Sequence, residues 1–138
     1  MLIFSGLVIF SANLFATQSP VQPGKPDDST LRKRIVGIWV SSSDDGDNPS
    51  IGEAEYRADG IVVARNFTDE SRQEDSEVFE GKWKIENGLL IITARRIFPN
   101  KSDKFVMTED HIIYITQEKM CLRAVGEQTG YCRTRKES

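Results

Sequence analysis

The sequence predicts an all-β protein, specifically a small antiparallel up-and-down barrel of eight or nine short strands. From Ile35 onward, apolar and polar residues alternate with a period of two, the spacing of a strand with one buried face. The dipeptides Asp59-Gly60 and Asn87-Gly88 are typical of tight hairpin turns. No long helical pattern interrupts these segments. A sandwich is the alternative, and we favour a barrel because closure removes exposed strand edges.

The first 24 residues carry no charged side chain, although the whole chain has 18 Lys and Arg and 21 Asp and Glu. Leu2 to Phe10 is an apolar run of the length found in secretory signals. We therefore predict a signal peptide over residues 1–16, cleaved after Ala16, and a secreted or periplasmic protein without a stable membrane span. An uncleaved anchor or a buried segment is the alternative.

Residues 17–28 are predicted to form a linker before the folded domain, residues 29–138. Pro20, Pro23 and Pro26 lack backbone donors and favour extended conformations. Either Asp28 or Ser29 is a suitable N-cap for a short helical turn that ends before Gly37.

The domain consists of strand candidates separated by turn residues. The clearest alternation places Phe79, Trp83 and Ile85 on one face of a strand. The predicted strands are Ile35–Ser41, Glu53–Ala58, Gly60–Phe67, Glu77–Ile85, Leu89–Arg95, Phe105–Thr108, His111–Gln117, Met120–Val125 and Thr129–Thr134.

Four sequence motifs occur in an order that resembles a known family. They are Ile35-Val36-Gly37-Ile38-Trp39, Glu55-Tyr56-Arg57-Ala58-Asp59-Gly60, Gly81-Lys82-Trp83-Lys84-Ile85-Glu86-Asn87-Gly88-Leu89 and Tyr131-Cys132-Arg133. This order resembles the lipocalin-like domains of the calycin group, especially the small exported bacterial ones of unassigned function. The resemblance implies that Trp39 plugs the closed end of the barrel and that Arg133 packs across its ring. Gly37 is then small because the chain packs closely beside this plug.

The two cysteines are predicted to form a disulfide. Cys121 and Cys132 fall on adjacent strands, and the alternation places both thiols on the same face of one hairpin. An even cysteine count in an exported chain is typical of a structural disulfide.

The composition disfavours several classes of function. A net charge of −3 argues against nucleic-acid binding. One His and two Cys leave little for a metal site, and we expect neither a metal nor another cofactor. No nucleophile with its base is evident, so we do not expect an enzyme.

Two functions remain, both for a protein expected to be a monomer. The first, implied by the resemblance, is binding of a small apolar ligand inside the barrel. The second is interaction with, or inhibition of, another exported protein by a barrel with a filled core. A further reading of Arg133 is that it holds a ligand carboxylate. The predicted interior residues are Tyr56, Val63, Phe79, Trp83, Ile113 and Leu122.

Overall fold

The computed structural model describes residues 25–42 and 51–137. Within them, eight strands form a closed barrel, each antiparallel to its neighbour in sequence, and the last strand pairs with the first. This up-and-down arrangement confirms the predicted all-β barrel and fits a lipocalin-like fold. The elements are α1 (Asp28–Ile35), β1 (Gly37–Ser42), β2 (Ile51–Tyr56), β3 (Ile61–Phe67), β4 (Asp75–Glu86), β5 (Leu89–Phe98), β6 (Val106–Ile115), β7 (Lys119–Ala124) and β8 (Tyr131–Arg135).

The predicted signal peptide and residues 17–24 of the predicted linker lie outside the described residues. In the described part of the chain, no helix is both long and apolar enough to cross a membrane.

Helix α1 is capped by Asp27, one residue before the two caps that the sequence suggested. The Asp27 carboxylate accepts the amide N–H of Thr30 at 2.9 Å. Asp28 instead accepts the amide N–H groups of Asn87 and Gly88, at 2.7 and 2.9 Å. The helix is thereby tied to the β4–β5 turn, across one end of the barrel.

The two predicted hairpin turns differ in structure. Asn87 and Gly88 both have positive φ, 52° and 77°, as a type I′ turn requires. At the β2–β3 turn only Gly60 has positive φ, 89°, and its N–H donates to the carbonyl of Arg57. This is a three-residue loop, a type I turn followed by a bulge at Gly60.

The extra loop residue changes which side chains of β3 face inward. A two-residue loop would have paired Tyr56 with Val63, but the observed register pairs Tyr56 with Val62. Residues paired across neighbouring strands share a face, so Val62 lies inside and Val63 outside. The prediction that Val63 lines the interior was therefore wrong.

Strand β6 is continuous where the sequence predicted two strands separated near Asp110. Asp110 remains in the ladder, and its carboxylate accepts the hydroxyl of Tyr131 inside the barrel at 3.1 Å. An irregularity between Ile112 and Tyr114 leaves Ile113 outside, 53% exposed, while Ile112 pairs with the buried Leu122. The prediction that Ile113 lines the interior was wrong for this reason.

The half of the barrel next to α1 is filled with apolar side chains. Its fully buried members are Ile35, Trp39, Ile85, Leu90, Ile115, Met120 and Leu122. Their packing fills the interior of the barrel in this half, because protein interiors are packed about as tightly as organic crystals.

Trp39 closes this end together with Arg135. The indole N–H of Trp39 donates to the carbonyl of Ile35 at 2.8 Å, which satisfies its only polar atom. The guanidinium carbon of Arg135 lies 4.2 Å from the centroid of the Trp39 ring. Gly37 has a φ of 139°, and a Cβ there would collide with this guanidinium.

The assignment of Arg133 to this plug was wrong. Arg133 and Arg135 are two residues apart, so they share the inner face of β8 and alternation cannot distinguish them. The register decides the matter, because Trp39 pairs with Arg135 across the β1–β8 ladder.

The predicted disulfide between Cys121 and Cys132 is present. The two residues are directly opposite in the β7–β8 ladder. Met120 and Leu122, the neighbours of Cys121, point into the core, so the bridge lies on the outer face. It fixes the register of the last two strands.

We predict that Arg135→Met lowers the free energy of unfolding by about 2–4 kcal/mol. The substitution keeps the side-chain stem but leaves three carbonyl oxygens without their charged donor and removes the cation from the Trp39 ring. The matched control is Arg133→Met, which removes a buried donor that has no acceptor and which we expect not to lower stability. Urea unfolding measures both values. An equal loss of unfolding free energy in the two variants would contradict the assignment of Arg135 to the plug.

Candidate ligand-binding site

In residues 25–42 and 51–137, the barrel is open at the end opposite α1. Val106 pairs with Ala94, and Ala94 pairs with Gly81, which in turn pairs with the buried Val62. Paired residues share a face, so Val106 belongs to the inner wall, yet it is 63% exposed. Solvent therefore reaches the interior at this mouth.

A cluster of four polar side chains lies between the mouth and the filled half. It consists of Tyr56 from β2, Asp110 from β6, and Tyr131 and Arg133 from β8. We call it the inner polar cluster. Tyr56 is buried, and its ring meets Trp83 edge-to-face with centroids 5.9 Å apart. The inner polar cluster is therefore in direct contact with the apolar core through Tyr56 and Trp83.

Asp110 and Tyr131 are joined within this cluster. Asp110 is only 7% exposed. Among the residues that the structure describes, it is the charged residue that is buried. The Tyr131 hydroxyl donates to its Oδ2 at 3.1 Å. This hydrogen bond links β6 to β8 inside the barrel and fixes the position of the Tyr131 ring.

The two phenols of the cluster remain protonated at neutral pH. Burial raises the pKa of Tyr56 to about 12, although the positive charge of Arg133 opposes that rise. Burial, followed by the charge of Asp110, also raises the pKa of Tyr131. The Tyr131 hydroxyl already donates its proton to Asp110, whereas the Tyr56 hydroxyl can donate a hydrogen bond to an incoming acceptor.

Arg133 is the cation of the cluster, and part of it is unpartnered. Its Nε is buried and has no hydrogen-bond acceptor among the described residues. Its guanidinium carbon lies 5.4 Å from the centroid of the Tyr131 ring. A buried donor left unpaired costs about 1–3 kcal/mol, and more when it is charged. This geometry offers a ready hydrogen bond to an anionic acceptor.

The walls above the cluster are mostly apolar, although Thr108, which pairs with Ile92, and Arg96, which pairs with Phe79, share the same face. The register places the following residues on the inner face near the mouth: Ala64, Phe79, Ile92, Ala94 and Val106. A carboxylate held by Arg133 would therefore have apolar surface around the rest of the molecule.

The structure brings together only part of the predicted interior. Tyr56, Phe79, Trp83 and Leu122 lie on the inner face, whereas Val63 and Ile113 do not. Sequence reasoning missed Asp110, because a charged residue inside a strand resembles a break. The shared parity of Tyr131 and Arg133 was the available signal for the rest of the cluster.

A concavity of about 860 Å³ lies between α1 and β6, and the buried residues Leu31 and Ile115 contribute to its lining. Two of its cations are already engaged: Arg34 donates to the carbonyl of Ile115 at 3.2 Å, and Arg123 to that of Glu127 at 2.9 Å. The inner polar cluster is the stronger candidate because its cation has a free buried donor.

No protein-family model matches this chain, and no match was found among curated proteins or solved structures. The functional assignment therefore depends on the geometry of the barrel interior.

We predict that alkaline pH destabilises the protein through Tyr56. The unfolded phenol ionises near pH 10 and the folded one near pH 12, so its stabilising effect is complete below pH 10 and lost as the pH rises to 12. The expected loss is up to about 1.4 kcal/mol per pH unit. Urea unfolding across this range measures it. Tyr56→Phe should show a shallower slope, and an unchanged slope would contradict the burial of the phenol.

Proposed function

We propose that the protein binds a small amphipathic carboxylate in the open half of the barrel. The observation that carries this proposal is the buried, unpartnered Nε of Arg133. A guanidinium is suited to a carboxylate because its fork of N–H donors matches the two carboxylate oxygens. Tyr56 supplies a further neutral donor beside it.

The filled half of the barrel limits the length of the ligand. Trp83, Leu122 and Trp39 belong to one buried core cluster, which occupies the half of the barrel next to α1. A ligand whose head reaches Arg133 must therefore direct its apolar part toward the mouth. This arrangement favours a short apolar chain or a compact ring.

Binding rather than catalysis is proposed for this cluster. Its four side chains are two neutral phenols, a carboxylate that accepts one of them, and a guanidinium. They supply donors and charge, without a nucleophile paired to a base. The alternative, a barrel that acts only through its outer surface, does not account for the open mouth at Val106.

The protein is proposed to act outside the cytosol. The disulfide between Cys121 and Cys132 supports this, because such bridges persist in oxidising compartments.

We predict that octanoate binds to the protein and that Arg133→Met weakens this binding by about 10- to 100-fold. This range corresponds to the loss of a hydrogen bond to a charged group, about 1.5–3 kcal/mol. Isothermal titration calorimetry measures the affinity. Octanol has the same apolar chain without the charge, so the variant should affect its binding by less than about twofold.

Lys82→Met is the matched control variant, because it removes an exposed cation from the outer face of β4. We expect it to leave octanoate affinity unchanged. If octanoate does not bind, or if Arg133→Met weakens octanoate and octanol equally, the proposed role of Arg133 is wrong.

A further inference from the structure

Residues 95–107, at the turn between β5 and β6, form a protruding surface that we call the hairpin tip. Four of its side chains are apolar and between 45% and 63% exposed: Phe98, Phe105, Val106 and Met107. Isolated exposed apolar residues are common, but four at one turn are typical of an interaction site.

The hairpin tip is also cationic, although the chain as a whole is acidic. It carries Arg95, Arg96, Lys101 and Lys104 against Asp103, a local charge of +3, whereas the whole chain has a net charge of −3. The carboxylates that face it come from β4. They are Glu77, 4.0 Å from Arg96, and Glu80, which is opposite Arg95 in the β4–β5 ladder.

Lys101 and Lys104 have no such partner. In the ranges that the structure describes, neither ammonium group lies within ion-pair distance of a carboxylate. Both residues are exposed. Their charge is therefore available to an external anionic group.

The hairpin tip is held in shape by its own contacts. Ser102 N–H donates to the carbonyl of Arg96 at 2.9 Å, and Arg96 Nε donates to that of Asn100 at 3.1 Å. The guanidinium carbon of Arg95 lies 5.1 Å from the centroid of the Phe105 ring. The exposed apolar groups are thus presented by an ordered turn, which reduces the entropy lost on docking.

We propose that the hairpin tip docks on an anionic phospholipid bilayer. Aromatic and aliphatic side chains flanked by Lys and Arg are suited to this interface, because the apolar groups enter the acyl boundary while the cations contact phosphates. A protruding turn inserts readily into lipid, whereas a protein partner would need a matching acidic pocket. This charge complementarity favours the bilayer.

The neighbouring loop at this end of the barrel sets the orientation of docking. The β3–β4 loop, residues 68–74, carries Asp69, Glu70 and Glu74 against Arg72. An anionic surface repels this loop and attracts the hairpin tip. The barrel therefore leans toward the membrane on its β5–β6 side.

Docking in this orientation places the mouth beside the lipid surface. Val106 belongs both to the hairpin tip and to the inner wall at the mouth. An amphipathic carboxylate could then pass between bilayer and barrel with little exposure of its apolar part to water. This last step rests on the proposed function, whereas docking itself does not.

Vesicle co-sedimentation of the full chain tests the proposal. We expect at least about tenfold tighter binding to vesicles that contain phosphatidylglycerol than to pure phosphatidylcholine, with a loss of binding at high salt. Lys101→Glu combined with Lys104→Glu should weaken the binding by about tenfold or more. Phe98→Ser combined with Phe105→Ser should do the same at unchanged charge.

The matched control is Lys82→Glu combined with Lys84→Glu, which changes the net charge equally on the outer face of β4. We expect less than a twofold effect. All variants share the same N-terminal residues, so the difference between them reports on the hairpin tip. An equal loss in the control, or no preference for phosphatidylglycerol, would overturn the proposal.

Sedimentation velocity without vesicles tests the other explanation for the exposed apolar residues, which is self-association of the chain. A dimer that depends on Phe98 and Phe105 would assign the hairpin tip to a second copy of the chain and overturn lipid docking. Octanoate titration in solution separates the two proposals. If the protein binds octanoate but not anionic vesicles, docking is wrong and the proposed function stands. If it binds anionic vesicles but not octanoate, the proposed function is wrong and docking stands.

Discussion

The closure of the barrel depends on the guanidinium of Arg135. It stacks on Trp39 and donates to the carbonyls of Arg34, Val36 and Gln117, at 2.6, 2.9 and 2.6 Å. One side chain thus joins the end of α1, the start of β1 and the β6–β7 turn from its place on the last strand.

Sealing one end allows the other end to remain open. The apolar core that the plug completes occupies the half of the barrel next to α1, and it supports the inner polar cluster from below. Arg133 and Arg135 lie on the same face of β8 but differ in their hydrogen bonding. Each guanidinium nitrogen of Arg135 donates to a backbone carbonyl, whereas the Nε of Arg133 is buried without an acceptor. The difference between these two residues is the basis for assigning a structural role to one and ligand binding to the other.

The sequence predicted the barrel because alternation and the Asn87-Gly88 turn are local signals. It failed at Val63 and Ile113, where a single extra residue in a turn or bulge reverses the face of every residue that follows. It failed between Arg133 and Arg135 because register, and not parity, decides which one meets Trp39. Such long-range pairings are set by the whole barrel. They were not available from the alternation within one strand.

The most direct test is the nuclear magnetic resonance of the arginine Nε–H groups during an octanoate titration. The Arg133 signal should shift as its Nε gains an acceptor, whereas the Arg135 signal should stay fixed, because its Nε already donates to Gln117. Assignment by Arg133→Met and Arg135→Met identifies the two signals. An Arg133 signal that is unaffected by octanoate, or an Arg135 signal that moves in its place, would contradict the division of roles between the two residues.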